Sequence, residues 1–280
     1  MGPAKIWEDK SKMHLKRWLT GIIAVPILIF LVGPGPRWAF YILIYSASLI
    51  GLMEFYKTAA SHLPKRIRWS NYLLTLLLFV ILYLRGIYYA PFIIALWALV
   101  PMIFSMLSFH SPDTQSTGDI GKALLGPIYV CLPLAMLLLI DRYPNGNIWI
   151  FFLLTVIFAT DTGAFYIGKL FGKHKLYEAV SPGKTWEGAI GGLLASLIAT
   201  LLFLQILDIH RLNLKLLFLV LALSASGQIG DLVESMLKRN HGVKDSGNIL
   251  PGHGGVLDRI DSLLFAIPIL YVYLSFSICL

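Results

Sequence analysis

Residues 148–168 read IWIFFLLTVIFATDTGAFYIG, a long apolar run interrupted by one acidic residue, Asp161. About 20 apolar residues are enough for a helix to cross a bilayer. Backbone polar groups in lipid must pair within the segment, and the run lacks the alternation of a barrel strand, so we predict a transmembrane helix. An ionisable residue within such a helix is costly, which makes Asp161 a candidate functional residue.

Comparable apolar runs recur along the whole chain. The 280 residues are 57% hydrophobic and only 14% charged, with a mean hydropathy of +0.74, whereas soluble domains carry about a quarter charged residues. We therefore predict an all-α fold, a polytopic integral membrane bundle of about nine transmembrane helices. The predicted spans are residues 17–32, 37–56, 70–85, 88–107, 122–140, 148–168, 189–207, 213–236 and 262–279.

The distribution of Lys and Arg predicts how the chain crosses the membrane. With nine spans, most basic residues fall in alternate connections, which places the N-terminus in the cytoplasm and the C-terminus outside. The net charge of +8 then reflects contact with anionic lipid, and we expect no nucleic-acid partner. This topology divides the chain into an N-terminal region of about four spans (1–121) and a catalytic region of about five (122–280), with cytoplasmic loops at 169–188 and 237–261.

One polar motif, SPGKTWEG at residues 181–188, lies in the first of these loops. Ser181 before a proline predicts a helix start, with Lys184 and Thr185 in the early turns. A helix N-terminus with a lysine and hydroxyl groups can bind phosphate. The motif is not a Walker A loop, because Glu178 stands where that loop requires glycine. The alternative is an ordinary capped start of the next span.

A second polar constellation occupies residues 224–262. Polar residues recur at helical spacing up to Asp231, and basic residues follow at Lys238, Arg239 and Lys244. The glycine-rich segment GHGG at 252–255 can turn backbone N–H groups toward an anion, which suggests donors at Gly254 and Gly255. His253 within it is equally consistent with a structural or a catalytic role.

Several carboxylates accompany these cations. Asp258 and Asp261 are three residues apart and share one helix face, and Asp231 precedes them on the adjacent span. Mg²⁺ prefers oxygen ligands and is commonly held by one or two carboxylates together with substrate phosphates. We predict Asp231 and Asp258 as Mg²⁺ ligands assisted by Asp161 and Asp261. The alternative for Asp258 is helix capping and ion pairing with Arg259 and Lys238.

The stretch from residue 235 to 261, SMLKRNHGVKDSGNILPGHGGVLDRID, resembles the signature of the phosphatidate cytidylyltransferase family, also called CDP-diacylglycerol synthases. The segment FGKHKL…SPGKTWEG is similar to the inner loop of that family. The resemblance implies transfer of a cytidylyl group from CTP to phosphatidic acid, giving CDP-diacylglycerol and pyrophosphate, in the bacterial inner membrane. It also implies dependence on Mg²⁺ at Asp231 and Asp258, a second cation such as K⁺ nearby, and a homodimer.

From these observations we assign expected roles. Asp231, Asp258, Asp261, Asp161, Lys244 and Arg259 are expected to act in catalysis, and a second group to bind substrate: Ser181, Lys184, Thr185, Lys238, Arg239, His253, Gly254 and Gly255. Two other functions stay open. A CTP-dependent kinase of a membrane lipid alcohol would need a base, for which Asp161 or His253 is available. An ion or solute transporter would account for acidic residues within spans.

Overall fold

The computed structural model describes residues 22, 25–108, 115–207, 213–249 and 254–278. Residues 25–32 are helical, and two short non-α turns, a 3₁₀ turn at Ile87–Tyr89 and a π turn at Pro127–Cys131, join longer helices. The described elements in chain order are α1 (Arg37–Ala59), α2 (Lys65–Tyr83), α3 (Ala90–Leu107), α4 (Gln115–Gly126), α5 (Leu132–Ile140), α6 (Gly146–Phe171), β1 (Lys175–Tyr177), β2 (Ser181–Thr185), α7 (Trp186–Leu207), α8 (Leu214–Asn240) and α9 (Leu257–Ile278).

Seven helical segments in the described part of the chain are long and apolar enough to cross a membrane. They correspond to seven of the nine predicted spans, and together with their many exposed large apolar side chains they define an integral membrane protein. They are Arg37–Ala59, Ile87–Leu107, Thr117–Ile140, Gly146–Phe171, Trp186–Leu207, Leu214–Asn240 and Leu257–Phe276.

The two other predicted spans have different outcomes. Residues 70–85 lie largely within α2, which is not among the seven and carries Lys65, Arg66 and Arg68 in its first turn. Of the span at 17–32, the structure describes residues 22 and 25–32, which are helical, and the other seven lie outside the described residues. The number of nine spans and the placement of both termini therefore stay predictions.

Buried polar contacts tie the N-terminal helices together. The Tyr56 hydroxyl on α1 donates to the Ala123 carbonyl of α4 (2.8 Å), and the Asn71 amide on α2 donates to both groups (2.6 and 2.9 Å). Hydrogen bonding of this kind satisfies polar groups that would be costly in lipid. At the opposite end of α1, Arg37 pairs with Asp141 (3.1 Å), whose pKa is raised by burial.

Small residues allow the helices of the C-terminal half to pack closely. A Cβ on Gly192 of α7 would lie 2.8 Å from the Thr160 carbonyl oxygen of α6, and one on Gly188 would lie 2.8 Å from that of Ala164. On α8, a Cβ on Gly230 would lie 2.6 Å from the Asp261 carbonyl oxygen of α9. Small residues at membrane helix interfaces permit such a close approach of two backbones. In this protein the close packing of α6–α9 holds their polar residues together at one end of the bundle.

The all-α prediction needs one local correction, because residues 169–188 contain a two-stranded antiparallel hairpin. Lys175 pairs with Thr185 and Tyr177 with Ser181, with a register irregularity between the two pairs. The expected helix start at Ser181 is wrong: Ser181–Thr185 is a strand and α7 begins at Trp186. Thr185 instead caps α7, because its Oγ1 accepts a hydrogen bond from the Gly188 N–H (3.1 Å).

Candidate active site

A polar cavity of about 700 Å³ opens at the end of the bundle where α6 and α8 end and α7 and α9 begin. The hairpin and the segment before α9 complete its wall. Most of its charged lining residues belong to the two predicted constellations, so the structure brings the two motifs into one site. The charged and hydroxyl side chains of the lining are Asp161, Lys169, Ser181, Lys184, Thr185, Asp231, Lys238, Asp245, Asp258, Arg259, Asp261 and Ser262.

Strand β2 carries Lys184 across the cavity to α8. Its Nζ lies 2.8 Å from the Asp231 Oδ2, and the Ser235 hydroxyl donates to the other oxygen of that carboxylate (3.4 Å). Glu187, in the first turn of α7, accepts the backbone N–H groups of Lys173 (3.1 Å) and His174 (3.2 Å). The base of the hairpin is thereby fixed to α7, which directs Lys184 into the cavity.

Three carboxylates face one another beside this ion pair. Asp161 of α6 and Asp231 of α8 interact electrostatically with Asp261 of α9 and with each other. Like charges at close range destabilise one another unless a cation lies nearby. Lys184 attracts the Asp161 carboxylate electrostatically and forms an ion pair with Asp231, so one ammonium group partly neutralises two of the three carboxylates.

A second charged group surrounds Lys238 near the end of α8. Its ammonium contacts Glu234, one turn earlier, and Asp258 Oδ1 (2.8 Å). The Asp258 carboxylate also accepts N–H groups from Ser246 (3.0 Å) and Gly255 (2.8 Å). The ion pair with Lys238, one part of the alternative for Asp258, is therefore present, and a metal contact of Asp258 stays a prediction.

The charges of the lining fit a site that needs a cation to hold a polyphosphate. Five acidic and four basic side chains face the cavity, so the protein alone supplies no positive excess for an anionic nucleotide. In the described part of the chain, no three His, Cys, Asp or Glu side chains are grouped to hold a metal ion by themselves. A Mg²⁺ ion that takes one or two carboxylates and completes its shell with phosphate oxygens and water suits this arrangement.

Several predicted site residues lie beside the cavity rather than in its lining. Arg239 and Lys244 are exposed near the end of α8. Gly254 has a φ of +78°, a backbone conformation that glycine adopts readily, and the Gly255 N–H is engaged by Asp258. Gly252 and His253 lie outside the described residues. The phosphate-binding roles of these residues stay predictions.

Sequence reasoning missed Glu54 on α1. This residue is 4% exposed, and its carboxylate accepts the Leu257 N–H at the start of α9 (2.8 Å). The signal that could have found it is the one used for Asp161, an acidic residue in an apolar run. The N-terminal region therefore contacts the segment that completes the site.

These features define an integral membrane protein with a polar cavity, lined by paired lysines and carboxylates, at one end of its helical bundle. The chain belongs to the cytidylyltransferase family, whose model matches residues 15–277. It is 39% identical to a phosphatidate cytidylyltransferase of Bacillus subtilis over 270 residues, 93% of this chain and 97% of that protein. It is also similar to the proteins of that name in Staphylococcus epidermidis (37% identity, 92% of this chain and 98% of the relative) and Staphylococcus aureus (44%, 65% and 70%).

Proposed function

We propose that this protein transfers the cytidylyl group of CTP to phosphatidic acid, giving CDP-diacylglycerol and pyrophosphate in phospholipid synthesis. The cavity lined by Lys184–Asp231 and Lys238–Asp258 carries the proposal. In a chain similar along nearly its whole length to phosphatidate cytidylyltransferases, that cavity offers cations and carboxylates at the end of membrane helices. A phosphorylated lipid can lie there with its acyl chains in the bilayer.

The proposed chemistry is an in-line displacement at the α-phosphorus of CTP. A phosphate oxygen of phosphatidic acid forms the new P–O bond while the bond to the bridging oxygen of the β-phosphate breaks, and pyrophosphate leaves with that electron pair. The second pKa of a phosphomonoester is about 6, so the nucleophile is already an anion and needs no general base. Positioning and charge neutralisation then supply the catalysis.

We assign the cations to the phosphates. Lys184, Lys238 and Arg259 line the cavity and would neutralise phosphate charge, with Arg239 and Lys244 beside the entrance. Lys184 and Lys238 each pair with a carboxylate in this structure. A lysine that binds a substrate phosphate would exchange its carboxylate partner for that phosphate.

The carboxylates of Asp231 and Asp258 would hold Mg²⁺, with Asp161 and Asp261 beside it. When bound, Mg²⁺ would neutralise phosphate charge as the displacement proceeds. Bound Mg²⁺ would also neutralise part of the negative charge of the lining carboxylates, so that Lys184 and Lys238 could turn toward the nucleotide. A second cation such as K⁺ and a homodimer remain proposals that come from the family resemblance.

We also propose that the cavity faces the cytoplasm, with the N-terminus on the same side and the C-terminus outside after nine spans. The positions of Lys and Arg support this orientation, since Lys169, Lys173, Lys175, Lys238 and Lys244 all lie at the cavity end of the bundle. Labelling of single cysteines with a membrane-impermeant reagent in intact cells tests it. A Gly183→Cys variant that reacts with the reagent from outside would overturn the orientation.

The decisive experiment uses purified protein with Mg²⁺, CTP labelled at the α or the γ phosphorus, and either phosphatidic acid or a lipid alcohol as the acceptor. The α label should enter lipid while the γ label leaves as pyrophosphate; transfer of the γ label would instead indicate a lipid kinase. Asp231→Asn and Asp258→Asn should each lower turnover by at least about 100-fold, the scale for removing a key electrostatic group. Asp119→Asn, outside the cavity lining, is the matched control. Near-normal turnover in either site variant would remove that residue from the metal assignment.

A further inference from the structure

Glu54 is a buried acid that the proposed chemistry does not use. It lies on α1, is 4% exposed and is absent from the cavity lining. A carboxylate in such a place is costly unless it receives hydrogen bonds. Oε2 accepts the Leu257 N–H (2.8 Å) and the Ser246 hydroxyl (3.4 Å), whereas Oε1 has no hydrogen-bond partner among the described residues.

The partners of Glu54 connect it to the site. Leu257 is the first residue of α9, where backbone N–H groups lack helical acceptors and favour a negative charge. Ser246 donates its backbone N–H to Asp258 (3.0 Å) and its hydroxyl to Glu54. Thr58, one turn after Glu54, donates to the Ser246 carbonyl (3.4 Å). α1 thus holds both ends of the segment that places Asp258.

Two glycines on this segment fit closely around the carboxylate. A Cβ on Gly247 would lie 2.7 Å from the Glu54 Cδ, and one on Gly255 would lie 2.8 Å from the same atom. Distances below 3.0 Å require the neighbour to shift, and a shift of the Glu54 carboxylate would disturb its hydrogen bonds to Leu257 and Ser246. The absence of a side chain at both glycines therefore leaves the space that the Glu54 carboxylate occupies.

We propose that Glu54 is a positioning residue for the transfer reaction, acting from the N-terminal region through Ser246 and Leu257. Its carboxylate fixes Ser246 and the start of α9, and these in turn hold the Asp258 carboxylate in the cavity wall. The proposal rests on the proposed active site for its effect on turnover, but the contact between Glu54 and the segment does not.

The test compares Glu54→Ala, which removes the acceptor, with Glu54→Gln, which keeps an oxygen for the Leu257 N–H but loses the charge. Ser48→Ala, a buried polar position on α1 away from the segment, is the matched control. For each protein we would measure kcat, KM for CTP, the unfolding temperature, and amide hydrogen exchange in the segment 246–257 without substrate.

Glu54→Ala should lower kcat by about 100-fold, the scale of a small misplacement of reacting groups, and should speed exchange in the segment. Glu54→Gln should recover part of the lost kcat and part of the slow exchange, and Ser48→Ala should leave kcat and exchange unchanged. A folded Glu54→Ala protein with normal exchange, or with fast exchange and normal kcat, would overturn the proposal. Exchange is read without substrate, so it reports the contact even if Asp258→Asn proves active and the metal assignment fails.

A pair of substitutions keeps the proposal testable if Glu54→Ala does not fold. Gly247→Ala should lower kcat, because its Cβ meets the Glu54 carboxylate. In a Glu54→Asp background the shorter side chain leaves room, so the same substitution should cost less. Contacting residues show such coupling. Equal losses from Gly247→Ala in both backgrounds would contradict the proposed contact.

Discussion

Lys238 offers a sharp test of how the charges at the site are compensated. Its side chain is 15% exposed and contacts two carboxylates, Glu234 at 1% and Asp258 at 7% exposed. Lys238→Met keeps much of the apolar length but removes the charge between them. Breaking a buried ion pair costs about 3–5 kcal/mol, because it leaves a charge unpaired. At about 2–4 °C per kcal/mol for a chain of 150–250 residues, the unfolding temperature should fall by at least about 6 °C.

The assay is thermal unfolding of purified protein in a fixed detergent, with Lys244→Met as the control because Lys244 is exposed. The double variant Lys238→Met, Glu234→Gln should recover part of the loss, since one of the two carboxylates is then neutral. Equal unfolding temperatures for Lys238→Met and Lys244→Met would refute this reasoning.

Two further predictions concern the elements that position the cavity. Thr185→Val removes the cap of α7 and should destabilise the protein by about 1 kcal/mol, whereas Thr185→Ser should retain most of the stability; unfolding temperatures compare the two, and equal values would exclude the capping role. Gly192→Leu should push α7 away from Thr160 on α6 and strongly lower both the yield of folded protein and its turnover, whereas Leu194→Ala, which changes a side chain on the exposed face of α7, should not. A well-folded, active Gly192→Leu protein would show that the close approach is not required.

The helices were predictable because length and hydropathy decide membrane spans almost alone. The meeting of Asp231, Asp258 and Asp261 in one cavity was predictable as well, since spacing places the last two on one face and adjacent spans bring the first beside them. The structure confirms this proximity through the shared lining. The contribution of each carboxylate to metal binding and catalysis stays a prediction.

The hairpin was not predictable from its local pattern. Ser181 followed by a proline fits a helix start, and only pairing with Lys175–Tyr177 makes the segment a strand. Its strands span three and five residues, too short for an alternating pattern to emerge. Tertiary pairing thus overrides the local signal.

Glu54 was missed for a related reason, since its partners lie far along the chain. An acidic residue in an apolar run marks a position of interest, but no local spacing reveals a partner about 200 residues away. Only the folded arrangement of α1 beside α9 shows what the carboxylate binds. The predicted division into an N-terminal region (1–121) and a catalytic region (122–280) did not include this contact.

The distance between Glu54 and its partners also bears on how the protein is made. Leu257 follows Glu54 by 203 residues, and domains form from the N-terminus onward as the chain is synthesised. α1 therefore enters the bilayer with an acid whose hydrogen-bond donors do not yet exist. A chain that stops before Ser246 lacks both hydrogen-bond donors, so the buried Glu54 carboxylate stays unsatisfied among the helices until the last part of the chain has been made.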